Sequence, residues 1–498
     1  MAVGAKKDSG LWVALAVAGL LAGAGLRFAD LGRWTLWPDE LASARRSLAP
    51  GVAEHLRGMK GNHPLFEVAV LRPWSRLTST DAGLRIPSAV AGVLTLPVAW
   101  GVARMFGPQA AALCVWFLAL SPLHLMYSRM ARPYALATLW AALATWAMIL
   151  VFRRARPRAL LAWTAASAAL ALTNLFGLFL TAGQLVFAAW FHRRKPMRIL
   201  IWAAAAVAVG MLVAPWLAES LISAARWSQE TTYTAQQAGA VAKAPYLLFV
   251  AALGETVHPL NFWVVAPAVA GFGLCAVGAL RQWRRKGFQF LLFQLAAVAV
   301  GALVFRATAP KHMLVAAPAF AAVIAAGALV WRPRWLRATA IALALGAQTV
   351  SVVNYFAGRE FHDADMVTPW REIVAAIAWQ ERDGDALLIG YQGDKDVWRM
   401  FMRYYTGRLK PVWIDFADWR VDLKRRLAGR QRAWLLLHEG DPQAVMTAWL
   451  TAQGYTVRKH GFQMEEHTLR GLREGWDRAR SVRSHLYTLI LAERRAEP

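Results

Sequence analysis

Two adjacent carboxylates, Asp39 and Glu40, stand in the stretch RWTLWPDELASARRS, which follows soon after an apolar run. Acids are scarce here, since only ten precede residue 359. A carboxylate can remove the proton of an acceptor hydroxyl. Adjacent helix residues face different ways, which argues against a glycosidase pair facing one bond and favours a single base at Asp39. A purely structural role, with Asp39 capping a helix and Glu40 in its first turn, is equally consistent with the sequence.

Basic and aromatic residues recur in two later segments, SPLHLMYSRMARPYAL and RATAPKHML. Fixed cations in such places could stabilise negative charge developing on a leaving phosphate. The alternative is that long basic side chains simply reach towards lipid headgroups. The candidates for binding a donor phosphate are Arg129, Arg132, Tyr134, Lys311 and His312, with Arg306 beside the last two.

A possible metal or acceptor site involves three further residues, His63, Glu255 and His258. A lone histidine in a loop is more often a hydrogen-bonding group than a metal ligand, so a divalent cation is left open as a cofactor. The two cysteines, Cys114 and Cys275, lie within apolar runs and offer no metal spacing.

Apolar runs long enough to cross a bilayer recur through the first 358 residues, and 57% of the 498 residues are hydrophobic. This excludes a soluble fold. We predict about eleven transmembrane helices, near 11–27, 84–103, 109–126, 132–152, 158–173, 175–191, 199–217, 262–280, 288–305, 313–331 and 335–356.

The net charge of +26 is a topology signal and not a nucleic-acid footprint. Residues 1–358 carry a net +23, with basic clusters in loops that alternate along the chain, whereas residues 359–498 carry only +3. The positive-inside rule then places the N-terminus in the cytoplasm. An odd number of spans sends residues 359–498 to the periplasmic or extracellular side.

The pattern therefore predicts two domains, a membrane domain at 1–358 and a soluble extracytoplasmic domain at 359–498. The first outer loop, 28–83, contains the acid pair. NHPLFEVAVLRPWSRL and APYLLFVAALGETVHPL are expected to be helices at the membrane interface. Beyond 359, strand patterns such as DALLIGYQ and AWLLLHEG alternate with helical ones, which predicts a small α/β domain.

Several segments together resemble a known family. LWPDELAS, the run from NHPLFEVAVLRPW to GVARMFG, SPLHLMYSRMARPYAL and PKHMLVAAPAF follow the order of motifs in GT-C glycosyltransferases of family 39. That family includes protein O-mannosyltransferases and bacterial enzymes that glycosylate lipid A. The resemblance extends to about residue 405.

The resemblance implies a polyprenyl-phosphate-sugar donor and an inverting transfer on the outer face of a bacterial inner membrane. It places the catalytic aspartate at Asp39, and Arg132 and Tyr134 beside the donor. The chain departs from the family where the "HPP" element reads Asn62-His63-Pro64-Leu65 and where "RY" reads Lys311-His312. The acceptor would be a glycan, a lipid or a protein.

We therefore predict a membrane glycosyltransferase in which Asp39 deprotonates the acceptor hydroxyl and the second catalytic-site acid, Glu40, organises the loop or helps to position the acceptor. Two rival functions stay open, a polymerase or ligase acting on lipid-diphosphate glycans and a flippase or transporter of lipid-linked sugars. A polymerase would have a large outer loop richer in arginine and histidine, and a transporter would have broken helices with ionisable groups near mid-membrane.

Overall fold

A computed structural model describes the chain except for residues 1, 60–62, 155, 231–239, 305–309, 363, 391–394, 439–441, 462–463, 466–482, 485–486 and 496–498. The described residues before 358 form helices almost throughout. They are α1 Ala2–Phe28, α2 Pro38–Ser47, α3 Val52–Met59, α4 Arg72–Trp74, α5 Asp81–Ala103, α6 Pro108–Ala119, α7 Pro122–Ser128, α8 Tyr134–Arg154, α9 Pro157–Thr173, α10 Gly177–Phe191, α11 Pro196–Glu230, α12 Ala240–Leu253, α13 Phe262–Leu280, α14 Lys286–Val304, α15 Ala317–Ala328 and α16 Arg334–Ala357. A π-helix covers Leu65–Leu71, and 3₁₀-helices cover Arg104–Phe106 and Pro310–Ala316.

Within the described residues, eight helices are long and apolar enough to cross a membrane. The prediction of a polytopic helical protein is confirmed, while the count of eleven spans stays a prediction. Each predicted span coincides with helical structure, but the fifth and sixth correspond to α9 and α10, of only 17 and 15 residues. Helices of this length are marginal for a full crossing.

The third predicted span is broken. Helices α6 and α7 meet at an angle of 58° and would form a ninth span if counted together. Ser121 caps α7 by accepting a hydrogen bond from the backbone N–H of His124, and Pro122 occupies the first helical position. Because proline cannot donate a backbone hydrogen bond, the Ser-Pro pair ends one helix and starts another.

A neutral polar network lies among the membrane helices, where Trp163 of α9 donates to Gln184 Oε1 of α10 at 2.6 Å. Gln184 Nε2 donates to Thr145 of α8 and to Gln294 Oε1 of α14, each at 3.1 Å. Trp163, Gln184 and Gln294 are fully buried. Side-chain amides can bond each other in this way, so four helices are joined without any buried charge.

The chain beyond 358 combines helices with β-strands. Its helices are α17 Trp370–Gln380, α18 Lys395–Tyr404, α19 Trp419–Leu427 and α20 Gln443–Ala452, and its strands are β1 Ala386–Ile389, β2 Pro411–Trp413, β3 Arg432–His438, β4 Tyr455–Gly461, β5 Met464–Glu465, β6 Arg483–Ser484 and β7 Tyr487–Arg494. Five strands form one sheet in the order β2-β1-β3-β7-β4. β1 is parallel to β2 and β3, whereas β7 is antiparallel to β3 and β4. Leu388, Leu435 and Ile490 lie in the buried core.

The chain divides into two compact units. One contains Met1–Gly32 and Ala42–Ala357, and the other contains Arg33–Leu41 and Gly358–Pro498. The predicted boundary near 358 stays a prediction, and residues 33–41 group with the second unit and not with the first. The reason is hydrogen bonding, because Thr35 donates to the Thr368 carbonyl at 2.9 Å and the Leu36 N–H donates to the Tyr404 hydroxyl at 2.7 Å.

Candidate active site

The acid pair lies in the first turn of helix α2. Pro38 is its first residue, and the acids of its first turn and the arginines of its last turn both suit the helix dipole. Glu40 is buried, and its Oε2 accepts a hydrogen bond from the Trp37 N–H at 2.9 Å. This is the return contact of a capping box. Glu40 thus makes a structural contact at the helix start, whereas Asp39 is only half-buried.

Three of the predicted phosphate-binding residues converge on the aromatic ring of a fourth, Tyr134. Tyr134, at the start of α8, has the Arg132 guanidinium and the Lys311 Nζ each 5.7 Å from its ring centroid. The His312 ring meets it edge-on at 6.4 Å. His312 also stacks on Phe176, with ring centroids 4.5 Å apart. Two positive charges and an imidazole brought together in this way can bind an anion.

His63 completes this group, with its ring 6.1 Å from that of Tyr134. Its Nδ1 lies 2.8 Å from the Thr173 carbonyl oxygen. Since a carbonyl only accepts, Nδ1 carries the proton and Nε2 keeps a lone pair. Desolvation, followed by the charge of Arg132, lowers the pKa of His63 to about 4. Its imidazole is therefore neutral near pH 7. Separately, the backbone of His63 is strained, since its φ of 55° lies in the left-handed region.

A buried carboxylate, Glu67, lies in the π-helix and is fully enclosed. Arg46 binds it in bidentate fashion, with Nη2 at 2.5 Å and Nε at 2.9 Å from its two oxygens. His55 Nε2 lies 3.3 Å from Oε2. Burial acts to raise the pKa of Glu67, but the hydrogen bonds from Arg46 and His55 and the nearby positive charges hold that pKa well below its usual range. Glu67 is therefore ionised at neutral pH.

Ser43 connects this carboxylate to the aromatic group. Its Oγ lies 2.8 Å from Glu67 Oε1 and 2.7 Å from Arg132 Nη1. Ser43 is fully buried on α2, one turn before Ser47. We call Ser43, Arg46, His55, Glu67 and Arg132 the Glu67 network.

Arg129, which the sequence placed among the phosphate-binding candidates, has a different environment. Its guanidinium donates to four backbone carbonyls at the end of α1, those of Leu26, Arg27, Ala29 and Asp30, at 2.6–3.2 Å. Because the last carbonyls of a helix have no partners within it, a buried arginine can bind them. Arg129 therefore closes a helix end, and its place in the phosphate-binding set stays a prediction.

A reciprocal contact involves Arg27, near the end of α1. Its Nη1 and Nη2 donate to the carbonyls of Ala119 and Leu118, which end α6, at 3.3 and 3.2 Å. Arg27 is fully buried. Its Nη2 also lies 2.6 Å from Nδ1 of His124 in α7, so a side chain from the first helix bridges the break between α6 and α7.

The remaining candidates lie apart from any cluster of metal ligands. Glu255 Oε2 accepts from the Tyr127 hydroxyl at 3.0 Å, and His258 Nδ1 accepts from the Leu260 N–H at 3.2 Å. Among the residues that the structure describes, no three His, Cys, Asp or Glu side chains are close enough to hold a metal ion. Arg306 and Asn62 lie outside the described residues.

Sequence reasoning missed the Glu67 network apart from Arg132. One signal was present, an acid within the apolar stretch PLFEVAVL. A buried carboxylate needs cationic partners, but those partners, Arg46 and His55, are 21 and 12 positions away.

Comparisons with known proteins support the same fold. Residues 62–218 match the family described as dolichyl-phosphate-mannose-protein mannosyltransferase. No curated protein is similar enough in sequence to count as a match. The crystal structure of ArnT from Cupriavidus metallidurans in the apo state matches with a TM-score of 0.56 and 14% identity, covering 98% of each chain.

Two further structures match with bound lipids. ArnT bound to undecaprenyl phosphate has a TM-score of 0.54 and 15% identity, covering 97% of this chain and 98% of that one. The oligosaccharyltransferase AglB from Archaeoglobus fulgidus, in complex with an inhibitory peptide and a dolichol-phosphate, has a TM-score of 0.50 and 11% identity, covering 86% and 69%. At these identities the likeness shows the fold. The resemblance to GT-C membrane glycosyltransferases is confirmed.

Proposed function

From the GT-C fold, we propose that this protein transfers a sugar from a polyprenyl-phosphate donor to an acceptor hydroxyl, with inversion, on the periplasmic or extracellular face of a bacterial inner membrane. One observation carries the proposal, namely the convergence of Arg132, Lys311 and His312 with His63 around the ring of Tyr134. Such a group suits a lipid-borne phosphate. Structural relatives bound to undecaprenyl phosphate and dolichol-phosphate support that choice.

In the proposed reaction Asp39 accepts the proton of the acceptor hydroxyl. The oxygen attacks the anomeric carbon from the face opposite the phosphate, and the bond between that carbon and the phosphate oxygen breaks. The departing lipid phosphate gains negative charge, which Arg132 and Lys311 stabilise. The phosphate is already a good leaving group, so the carboxylate is needed at the nucleophile.

The partly exposed position of Asp39 supports its role as the base. Its neighbour Glu40 makes the capping contact at the start of α2, and we assign the proton transfer to Asp39. Asp39 also precedes Ser43 by four positions on the same helix, and Ser43 binds Arg132. Under this proposal, one helix carries both the base and a residue that binds the phosphate-binding cation.

The test is incubation of the purified full-length protein with polyprenyl-phosphate sugars and candidate glycan, lipid and protein acceptors. We expect release of the lipid monophosphate together with a glycosylated acceptor. Release of a lipid diphosphate would instead support the polymerase or ligase. Movement of the donor across vesicles without cleavage would support the transporter.

The variant Asp39→Asn tests the base. It should lower the transfer rate by about 10²- to 10⁴-fold, the usual contribution of a general base, and leave the unfolding temperature and donor binding near those of the wild type. Glu54→Gln, which alters an exposed acid on α3, is the matched control and should keep full activity. Near-normal transfer by Asp39→Asn would reject the assignment.

A further inference from the structure

The hydroxyl of Ser43 has its three hydrogen-bonding positions filled by three charged side chains. Arg132 Nη1 lies at 2.7 Å, Arg46 Nη2 at 3.1 Å and Glu67 Oε1 at 2.8 Å from its Oγ. A serine hydroxyl has one proton to donate and two lone pairs. Because guanidinium groups only donate and a carboxylate only accepts, the direction of each bond is determined. Ser43 donates to Glu67 and accepts from both arginines.

Glu67 is itself held on several sides. Arg46 occupies both carboxylate oxygens, and His55 approaches one of them. Glu67 and Ser43 are buried, so water does not compete for these bonds. The carboxylate that orients the Ser43 proton is therefore rigidly placed, and the Ser43 lone pair that meets Arg132 is rigidly placed with it.

Arg132 lies at the end of this chain of contacts and beside the ring of Tyr134. Its backbone is fixed as well, since its carbonyl accepts from Ser88 Oγ at 3.0 Å. A flexible guanidinium binds and stabilises a phosphate best when its position is set before the phosphate arrives.

We propose that Glu67, acting through Ser43, is a positioning residue that fixes the guanidinium of Arg132 for the phosphate of a lipid-linked donor. This inference rests on the proposed function for the identity of the anion. It adds to that function a support made of residues that touch neither the sugar nor the phosphate. Removing Ser43 or Glu67 should therefore weaken phosphate binding only in a protein that retains Arg132.

The experiment measures binding of undecaprenyl phosphate to the purified full-length protein in detergent, which requires no sugar transfer. Ser43→Ala should weaken binding about tenfold, the scale of a lost hydrogen bond to a charged group. Ser43→Thr keeps a hydroxyl and should restore most of the affinity. Ser47→Ala is the matched control, because Ser47 is also buried on α2 but its hydroxyl binds the Ala44 carbonyl of its own helix.

A double-mutant cycle separates positioning from general damage. In an Arg132→Ala background, Ser43→Ala should change the affinity less than twofold. Glu67→Gln should behave like Ser43→Ala in both backgrounds, and Ser43→Ala covers the case in which Glu67→Gln does not fold. Equal losses with and without Arg132, or no loss at all, would overturn the inference.

Sugar transfer is measured separately, so that the proposed function and the positioning role can fail independently. A wild-type protein that binds undecaprenyl phosphate but transfers no sugar would reject the proposed reaction, and the cycle would still decide the positioning role. A wild-type protein that does not bind the lipid phosphate would reject both.

Discussion

Two buried polar networks in the unit formed by Met1–Gly32 and Ala42–Ala357, here called the membrane unit, are built from different kinds of side chain. The network of Trp163, Gln184 and Gln294 is neutral and joins helices that are otherwise apolar. The Glu67 network consists mainly of ionised groups and ends at Arg132, beside Tyr134. Both are buried and bonded, so burial alone does not distinguish a structural network from one that supports a site.

The two networks differ in their net charge. Amide groups satisfy each other and carry no net charge. The Glu67 network contains two guanidinium groups but only one carboxylate, so positive charge remains next to the aromatic group. That charge is felt locally, since Arg132 and Lys311 both act to lower the pKa of His63. A charged network can thus keep an anion site positive and rigid, whereas a neutral one only holds helices together.

The largest loss of stability should follow from removing the carboxylate of Glu67. Glu67→Leu leaves Arg46 and His55 facing an apolar side chain in a buried place, which should cost about 3–5 kcal/mol of unfolding free energy. Thermal unfolding in detergent, followed by tryptophan fluorescence, measures it. A loss no greater than that of Gln184→Leu would remove the distinction between the networks.

The next effect concerns pH. His63 has a pKa of about 4 in the folded protein, below its ordinary value near 6.5. The unfolded chain therefore takes up the proton first, and stability should fall as the pH drops from about 6.5 to about 4, by less than about 3 kcal/mol. His63→Asn should flatten unfolding temperature against pH over this range.

The Glu67 network provides the control for that measurement. The folded pKa of Glu67 is lowered, so its contribution to stability is complete above its unfolded pKa of about 4.3 and is lost only below it. Glu67→Gln should therefore leave the slope between pH 6.5 and 5 unchanged. A slope that persists in His63→Asn would show that another group titrates there.

Lys311 tests whether positive charge at Tyr134 serves a ligand. Lys311→Ala should raise the donor dissociation constant about tenfold, the scale of a charge-assisted hydrogen bond, with little change in unfolding temperature. Lys286→Ala is the matched control, because Lys286 also lies over an aromatic ring, that of Trp190, at 4.1 Å. Equal donor affinity in the wild type and Lys311→Ala would separate Lys311 from the site.

The smallest effect is expected in the neutral network. Gln294→Leu removes one amide from the group between α8, α10 and α14 and should cost about 0.6–1.7 kcal/mol, the range for hydrogen bonds between membrane helices. Donor affinity should not change. An affinity loss comparable to that of Ser43→Ala would show that both networks support the site.

The helices of the membrane unit were predictable because a bilayer requires about 20 consecutive apolar residues per span. The predicted run 262–280 coincides with α13. The break after α6 was not predicted, because composition does not register one Ser-Pro step inside an apolar run. The grouping of residues 33–41 with the second unit was missed for a similar reason, since it depends on contacts with residues more than 300 positions away.

The sequence pointed to the cations of the candidate site but not to the buried residues of the Glu67 network that contact Arg132. Basic residues such as Arg132 and Lys311 are conspicuous in a chain whose basic clusters otherwise mark one side of the membrane. Arg129 has the same signal three positions earlier, yet it binds helix-end carbonyls. Sequence shows that a charge is present, but only the folded chain shows which partner neutralises it. The role of Asp39 stays a prediction.

The exchange of arginines between α1 and the broken pair α6–α7 has a consequence for how the protein is made. When Arg27 has just been synthesised, the carbonyls of Leu118 and Ala119 that will bind it are still about 90 residues from being synthesised. Until then, we expect the Arg27 side chain to extend to the lipid headgroups. The first helix would therefore reach its final depth only after the sixth helix has been inserted, and a nascent chain stopped before that point should remain loosely anchored.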